Sequence, residues 1–329
     1  MSKRIVSGKH NLYVKILGTV LLFVFLLPYV ITSLFGNVNS AGTGGSIDAL
    51  LKSWEKELTG SNIYVENTTT SGRERIPLEF YLLDKLSRSI NTEYHLEALK
   101  AQAVLLRTAL MEELWETTGN IRGTVKVIDS EYGSGILNEN IVIAVTSTMG
   151  VFLTYHDKPA KVAYFAVSNG RTRDGSEAFG QGAPSYFHAV DCSRDFLAEN
   201  FTSQKAIGRN EFITTIENST MISLPADFEI SDIYINRDLS GYIIDIKINT
   251  LPSPVILSGE ECRQLWGLSS SSFNIEESGN RVIFSVRGIG HGLGMSQYAA
   301  NEMAKNEKNE DYISILEYFF SGLILTKFE

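Results

Sequence analysis

The sequence predicts an α+β fold, with helices and antiparallel-type sheets mixed around a cleft and one transmembrane helix in front. Three observations carry this. Helical and strand-like stretches alternate without the strict strand–helix–strand order of a parallel α/β sheet. A glycine-rich run, Gly288-Ile289-Gly290-His291-Gly292-Leu293-Gly294, leads straight into a polar, helix-competent segment, Met295-Ser296-Gln297-Tyr298-Ala299-Ala300. Residues 16–35 carry no charge at all.

That uncharged stretch defines the amino terminus. Twenty residues at the helical rise of about 1.5 Å cross a bilayer's hydrocarbon core. Lys3, Arg4, Lys9 and Lys15 precede it and no acid does. The positive-inside rule therefore puts residues 1–15 in the cytoplasm, 16–36 in the membrane and the remainder outside. A cleaved signal peptide is the rival reading. Its apolar core would be shorter, and Val38-Asn39-Ser40 is a poor cleavage site, so an uncleaved single-pass anchor is preferred.

Four of the 29 basic residues lie in that tail, leaving 25 against 38 acidic ones, a net charge of −13 beyond residue 15. Such a surface excludes nucleic acid as a main partner. The two cysteines, Cys192 and Cys262, either pair in an oxidising exterior or stay separate and buried; their spacing selects neither. No paired Cys/His spacing marks a structural zinc site.

Residues 37–75 read as a linker and lead-in: a Gly/Ser-rich stretch to Ser46, a short amphipathic segment over 47–58, then strand and turn over 62–75. A helix starts at Pro77, whose fixed φ suits a first turn, and stops near Asn91-Thr92. The next helix has the clearest periodicity. Leu96, Leu99, Ala103, Leu106 and Leu110 recur at three- and four-residue steps, with Lys100 and Arg107 at the edge of the stripe. Cations there either lie along the core with their charge in water or line a cleft. After Thr117-Thr118-Gly119-Asn120 the texture turns to strands, expected at 125–128, 141–145, 150–155 and 162–167. A polar loop follows, Ser168-Asn169-Gly170-Arg171-Thr172. A helix is expected over 203–216, strands over 230–235, 242–248 and 282–286, and an aromatic helix over 312–320.

The glycine run is read as a cleft wall. Alternating glycine lets a backbone lie close against something solid, while His291, Ser296, Gln297 and Tyr298 supply donors and acceptors at its end. The plain alternative is a glycine-rich bulge before an ordinary helix.

In three blocks the chain resembles the stage II sporulation protein D family, which takes in amidase-enhancer proteins. The blocks are Pro77-Leu78-Glu79 through Leu96-Glu97-Ala98-Leu99-Lys100-Ala101-Gln102-Ala103 to Arg107-Thr108, the Tyr164–Gly180 segment, and Gly288–Ala300 followed by Ile315-Leu316-Glu317-Tyr318-Phe319-Phe320-Ser321-Gly322. The resemblance spans 76–329. It implies a membrane-anchored, outward-facing protein acting on peptidoglycan glycan strands during spore engulfment, with cell-wall amidases and other engulfment proteins as partners. It also implies a lytic transglycosylase chemistry, in which one carboxylic acid protonates the glycosidic oxygen and then, as carboxylate, takes the proton of the sugar hydroxyl that closes on C1.

That acid is missing. The family's Glu stands eight residues after the Tyr of the first block and eight before the Glu of Leu96-Glu97-Ala98. Counted from Tyr81 and back from Glu97, both place it at Ser89. A serine hydroxyl is too weak an acid for the step. Asp84 is five residues earlier and roughly 140° away around the helix, and Glu97 already belongs to the pattern. Glu93 remains as a substitute acid. The resemblance also implies substrate-binding roles for Lys100, Arg107, Ser168, His291, Ser296, Gln297 and Tyr298. It implies no metal or other cofactor, because Phe165 and Ala166 stand where a metal-holding relative has His or Ser. Three readings follow: a glycan-binding relative with lost or weak cleavage, an active transglycosylase using a relocated acid, and a non-catalytic scaffold or amidase activator.

Overall fold

The computed structural model describes residues 63–69, 72–180, 182–251, 253–306 and 310–328. The expected anchor (16–36), the tail before it and most of the 37–75 linker lie outside these residues. Among the described residues no helix is long and apolar enough to cross a membrane. The chain divides into Met1–Thr59 and a compact unit, Gly60–Glu329; the second is described below.

The unit is α+β, and its strands form small sheets. β1 (Ile63–Thr69) pairs antiparallel with β2 (Gly72–Pro77) and parallel with β3 (Gly123–Val127). Two helices follow β2. α1 (Leu78–Ser89) begins behind Pro77 and ends where Ile90 turns extended. α2 (Leu96–Thr118) is capped by His95, whose Nδ1 accepts from the Glu97 N–H, and closes on Gly119 in the left-handed region. Periodicity predicts one apolar stripe on α2. The structure buries it on every side from Ala101 to Thr108, so it is the central helix.

Three local expectations are corrected. Residues 141–145 form a helix, α3 (Glu139–Ser147), not a strand. The Asn138 side chain accepts from the Ile141 N–H at 2.9 Å and starts the helix, and Ile141, Val142, Ala144 and Val145 then bury one face. Packing here outweighs the β preference of the Ile/Val run. The strand expected over 162–167 shrinks to β6 (Tyr164–Phe165), because its partner β13 (Met295–Ser296) is a two-residue strand joined in parallel. The helix expected over 203–216 divides at Gly208 into β7 (Thr202–Gly208) and α5 (Arg209–Thr220). β7 is polar and mostly exposed, so it lacks an alternating signal, and its pairing with β12 (Arg281–Arg287) makes it a strand.

Two of the hydrophobic clusters among the described residues position the site. The first joins α2, β4 (Val151–Tyr155), α7 (Gln297–Lys305) and α8 (Tyr312–Phe319). Here β4 pairs with β5 (Lys158–Pro159) and β14 (Ile324–Lys327). The second lies in an inserted lobe, residues 202–287. There β7, β12 and β11 (Phe273–Ser278) form one sheet, and β8 (Ile233–Arg237), β9 (Ile243–Ile248) and β10 (Val255–Ser258) another. α5 and α6 (Gly259–Leu265) complete that core. The lobe closes at its root, where Thr202 pairs with Arg287 and the Gly288 N–H donates to the Phe201 carbonyl at 2.7 Å. Cys192 lines the first core and Cys262 the second, each a free buried thiol.

Candidate functional site

The glycine-rich run returns the chain from the inserted lobe to the first core. It lies directly on residues 163–167: Val167 and Ile289 exchange both backbone hydrogen bonds, and Met295 N–H donates to the Ala163 carbonyl. A Cβ at Gly292 would sit 2.4 Å from the Tyr242 ring, and one at Gly294 2.1 Å from the Ala163 oxygen. Both have positive φ. The solid surface that this backbone approaches is therefore the protein's own chain.

At the end of the run Ser296 caps α7, accepting from the Ala299 N–H at 3.3 Å. This aims Gln297 at the carboxyl end of α1. The Gln297 Nε2 donates to the Ser89 carbonyl at 2.7 Å and to Gln102 Oε1 at 3.2 Å. Gln102 is wholly buried on α2, and its own Nε2 has no partner. The Ser89 hydroxyl donates to the Leu86 carbonyl at 3.2 Å. The Tyr164 hydroxyl lies near Ser89, and burial raises it above its ordinary value. Tyr94 meets Tyr298 edge to face, ring centroids 6.4 Å apart. Burial, helped by Tyr298, pushes the Tyr94 hydroxyl up to about 12. Gln297, Gln102 and Tyr164 are thus gathered at Ser89, and Tyr298, the next residue of α7, packs on Tyr94.

The neighbouring carboxylates are engaged elsewhere. Glu79 is bidentate to Arg107 (2.9 and 2.6 Å) and accepts from Gly150 N–H. Asp84 takes two bonds from Arg88 and the N–H groups of Gly133 and Gly135. Glu97 pairs with Lys100 at 2.6 Å and caps α8 at Tyr312. Glu93 is exposed, beyond the end of α1.

The remaining expected binding residues divide. Arg107 has no exposed surface; it ties α1, α2 and the Val151 carbonyl together. Lys100 is half-buried beside Glu97. His291 is half-buried against Phe165, and its Nδ1 accepts from the Leu293 N–H. Burial keeps its pKa below the ordinary value, so the ring is neutral at pH 7. Ser168 and Ser296 are wholly buried and meet at one carboxylate, Asp195. Sequence reasoning missed Asp195, Gln102, Tyr94 and Tyr164. Gln102 carried a visible signal, a polar residue flanked by Ala101 and Ala103 in an apolar helix. Asp195 sits on a short 3-10 turn (Ser193–Leu197) without periodicity. A separate groove of about 650 Å³, between that turn and the ends of α7 and α8, contains none of the expected residues.

Among the described residues no cluster of three His, Cys, Asp or Glu is placed to hold a metal.

Residues 66–155, from within β1 to the end of β4, match the family model described as Stage II sporulation protein. Stage II sporulation protein D of Bacillus subtilis (strain 168) is 27% identical over 278 residues, 79% of this chain and 78% of that protein. Its counterpart in Bacillus amyloliquefaciens is 26% identical over 81% and 79% respectively. The amidase enhancer of B. subtilis is 24% identical over 71% of this chain and 39% of its own length. The chain thus carries a stage II sporulation protein domain, and its likeness to stage II sporulation protein D runs through most of its length.

Proposed function

We propose that this chain is a membrane-anchored, extracytoplasmic peptidoglycan-acting protein that binds glycan strands and has lost, or retains only weakly, the cleavage that the family resemblance implies. The observation that carries this reading is the environment of Ser89. Gln297 holds the Ser89 carbonyl and Tyr164 lies near, yet the carboxylates of Glu79, Asp84 and Glu97 are all tied into other bonds. General acid catalysis needs a carboxylic acid within hydrogen-bond reach of the leaving oxygen, and a serine hydroxyl cannot supply it. Tyr94 and Tyr298 offer aromatic faces for sugar rings beside this point.

The test uses the full-length chain and peptide-stripped glycan strands. Strand binding without formation of 1,6-anhydro ends is expected, and Ser89→Glu is expected to create or raise cleavage. Cleavage by the natural chain, abolished in Glu93→Gln and kept in Ser89→Ala, would establish the relocated-acid reading in its place. Failure to bind strands, with capture of a cell-wall amidase, would favour an amidase activator. That second reading is motivated by the similarity to a protein named amidase enhancer.

A further inference from the structure

Asp195 is a buried acid that the reading above leaves unused. It has no exposed surface, and it joins two segments distant in sequence. One carboxylate oxygen, Oδ2, accepts from the Ser168 N–H at 2.7 Å and from the Ser296 hydroxyl at 2.7 Å. The Ala299 N–H, in the first turn of α7, faces the carboxyl and donates to the Ser296 hydroxyl. Its other oxygen, Oδ1, has no partner. Ser296 is in turn the cap of α7, and Gln297 and Tyr298 are the first two residues of that helix.

We propose that Asp195 is a positioning residue for the candidate glycan site: it clamps the Ser168 loop to the start of α7 and thereby fixes Gln297 at Ser89 and Tyr298 against Tyr94. The proposal rests on the glycan-binding reading. Three features carry it. Two bonds of 2.7 Å onto one oxygen are the short contacts of a charged acceptor. The carboxyl lies at the positive end of the α7 dipole, which favours its ionised form. The Ser296 hydroxyl accepts from Ala299 and donates to Asp195, so its orientation is set from both sides.

The clamp is sensitive to protons. On its own turn Asp195 has Asp191 and Arg194, both exposed, with Arg194 bonded to the Glu302 carbonyl. Cys192, also there, is buried, which pushes its thiol upward. On the Ser168 loop Arg171 is exposed, and Arg173 is held by Asp238. From α7 come Tyr298, Glu302 and Lys305, the last paired with Glu302. Tyr94 and Tyr242 face it from other segments. Among the described residues no cation contacts the carboxyl, and burial raises its pKa from the usual 3.8 to about 6. The proton has a natural place on Oδ1. Since the folded pKa is the higher one, the protonated acid favours folding below about pH 4, and that contribution is lost as pH rises through 6. The clamp runs the opposite way: ionisation strengthens the bonds from Ser168 and Ser296.

The experiment follows the full-length chain from about pH 4.5 to 8, a range that crosses the folded pKa of about 6 from above the unfolded one. It measures affinity for peptide-stripped glycan strands, the unfolding midpoint and hydrogen exchange at the Ser168 amide. The midpoint is expected to fall as pH rises to about 6 and then level off, while strand affinity and Ser168 protection rise as pH passes about 6. Asp195→Asn keeps the shape and removes the proton; it is expected to flatten all three profiles and to bind several-fold more weakly at pH 8. Wild-type affinity and Ser168 protection that stay flat through the window, or an Asn variant that keeps the wild-type slopes, would overturn the proposal. If no strand binds at any pH, the glycan reading fails and Ser168 protection alone decides the role of Asp195. If the variant does not fold, the wild-type profiles decide.

Discussion

Arg107 and Ser89 mark the limits of reading single residues from sequence. Both lie in the first block of the family resemblance, which places both in a cleft. Ser89 does lie where Gln297, Tyr164 and α1 converge. Arg107 is instead sealed between α1 and α2 as the fork of a bidentate ion pair, with Glu79 nearly as deeply buried. A helical wheel gives the angle of a side chain but not what lies beyond it. At this angle the wheel could not tell solvent from a second helix carrying a complementary acid. The energetic consequence is sharp. Removing one member of a buried ion pair leaves the other charge uncompensated, typically about 3–5 kcal/mol. Arg107→Ala is therefore expected to lower stability by that order in denaturant unfolding. Arg107→Lys loses the fork to Glu79 and the bond to the Val151 carbonyl together, and is expected to fall between. An Arg107→Ala chain as stable as the wild type, but deficient in strand binding, would return Arg107 to the cleft.

Among the elements, α1, α2 and α8 were legible because their apolar spacing and their ends agree with one another. α3 was not. Its Ile141-Val142-Ile143-Ala144-Val145 run has the composition of a buried strand, and only Asn138, at the capping position, speaks for a helix. Asn138→Ala is accordingly expected to cost about 1 kcal/mol, the usual value of a lost cap. The larger effect should appear as amide exchange in the first turn of α3. Unchanged exchange there would mean that packing on α2 alone holds the helix. α1 is fixed by a different device. Arg88 bonds Asp84 and Asp129, while Lys85 and the Tyr81 hydroxyl also reach Asp129. Burial pushes the Asp129 carboxyl up, but the bonds from Arg88 and Tyr81 win and hold it well below the usual carboxylate range. A depressed folded pKa contributes stability above the unfolded value of about 4, lost as pH falls through and below it. Acid is thus expected to detach the loop after β3 from α1. The denaturant midpoint of the wild type should drop faster with falling pH than that of Asp129→Asn; parallel curves would remove Asp129 from the account.

At the scale of the whole molecule, the sequence conveyed the α+β class but not that residues 202–287 form a lobe with a hydrophobic core of its own. The boundary of the inserted lobe is a pair of backbone contacts at Phe201–Gly288 and Thr202–Arg287, which leave no composition signal. The strands expected at 242–248 and 282–286 form, while the one expected at 230–235 begins only at Ile233 because Ile230–Asp232 is a 3-10 turn; pairing partners across the 202–287 interval are not local information. The two cores should respond separately to damage. Phe284 is wholly buried in the lobe, with Trp266 at 5.1 Å, Phe273 at 5.7 Å and Phe212 at 6.1 Å between ring centroids. Truncating such a side chain costs about 3–5 kcal/mol through lost transfer energy and the cavity left behind. Phe284→Ala is therefore expected to strip hydrogen-exchange protection from β9 and β12. α2, packed in the first core, should keep most of its protection, as locally cooperative units do. The lobe is also tied to the first core, because Asn169 donates to the Ser240 carbonyl and Ser272 hydroxyl, and Arg173 bonds Asp238. Those bonds end at the Ser168 loop rather than at Ser89. Strand affinity should consequently decline less than lobe protection does. Equal loss of protection in α2 and β12 would show that the two cores unfold as one.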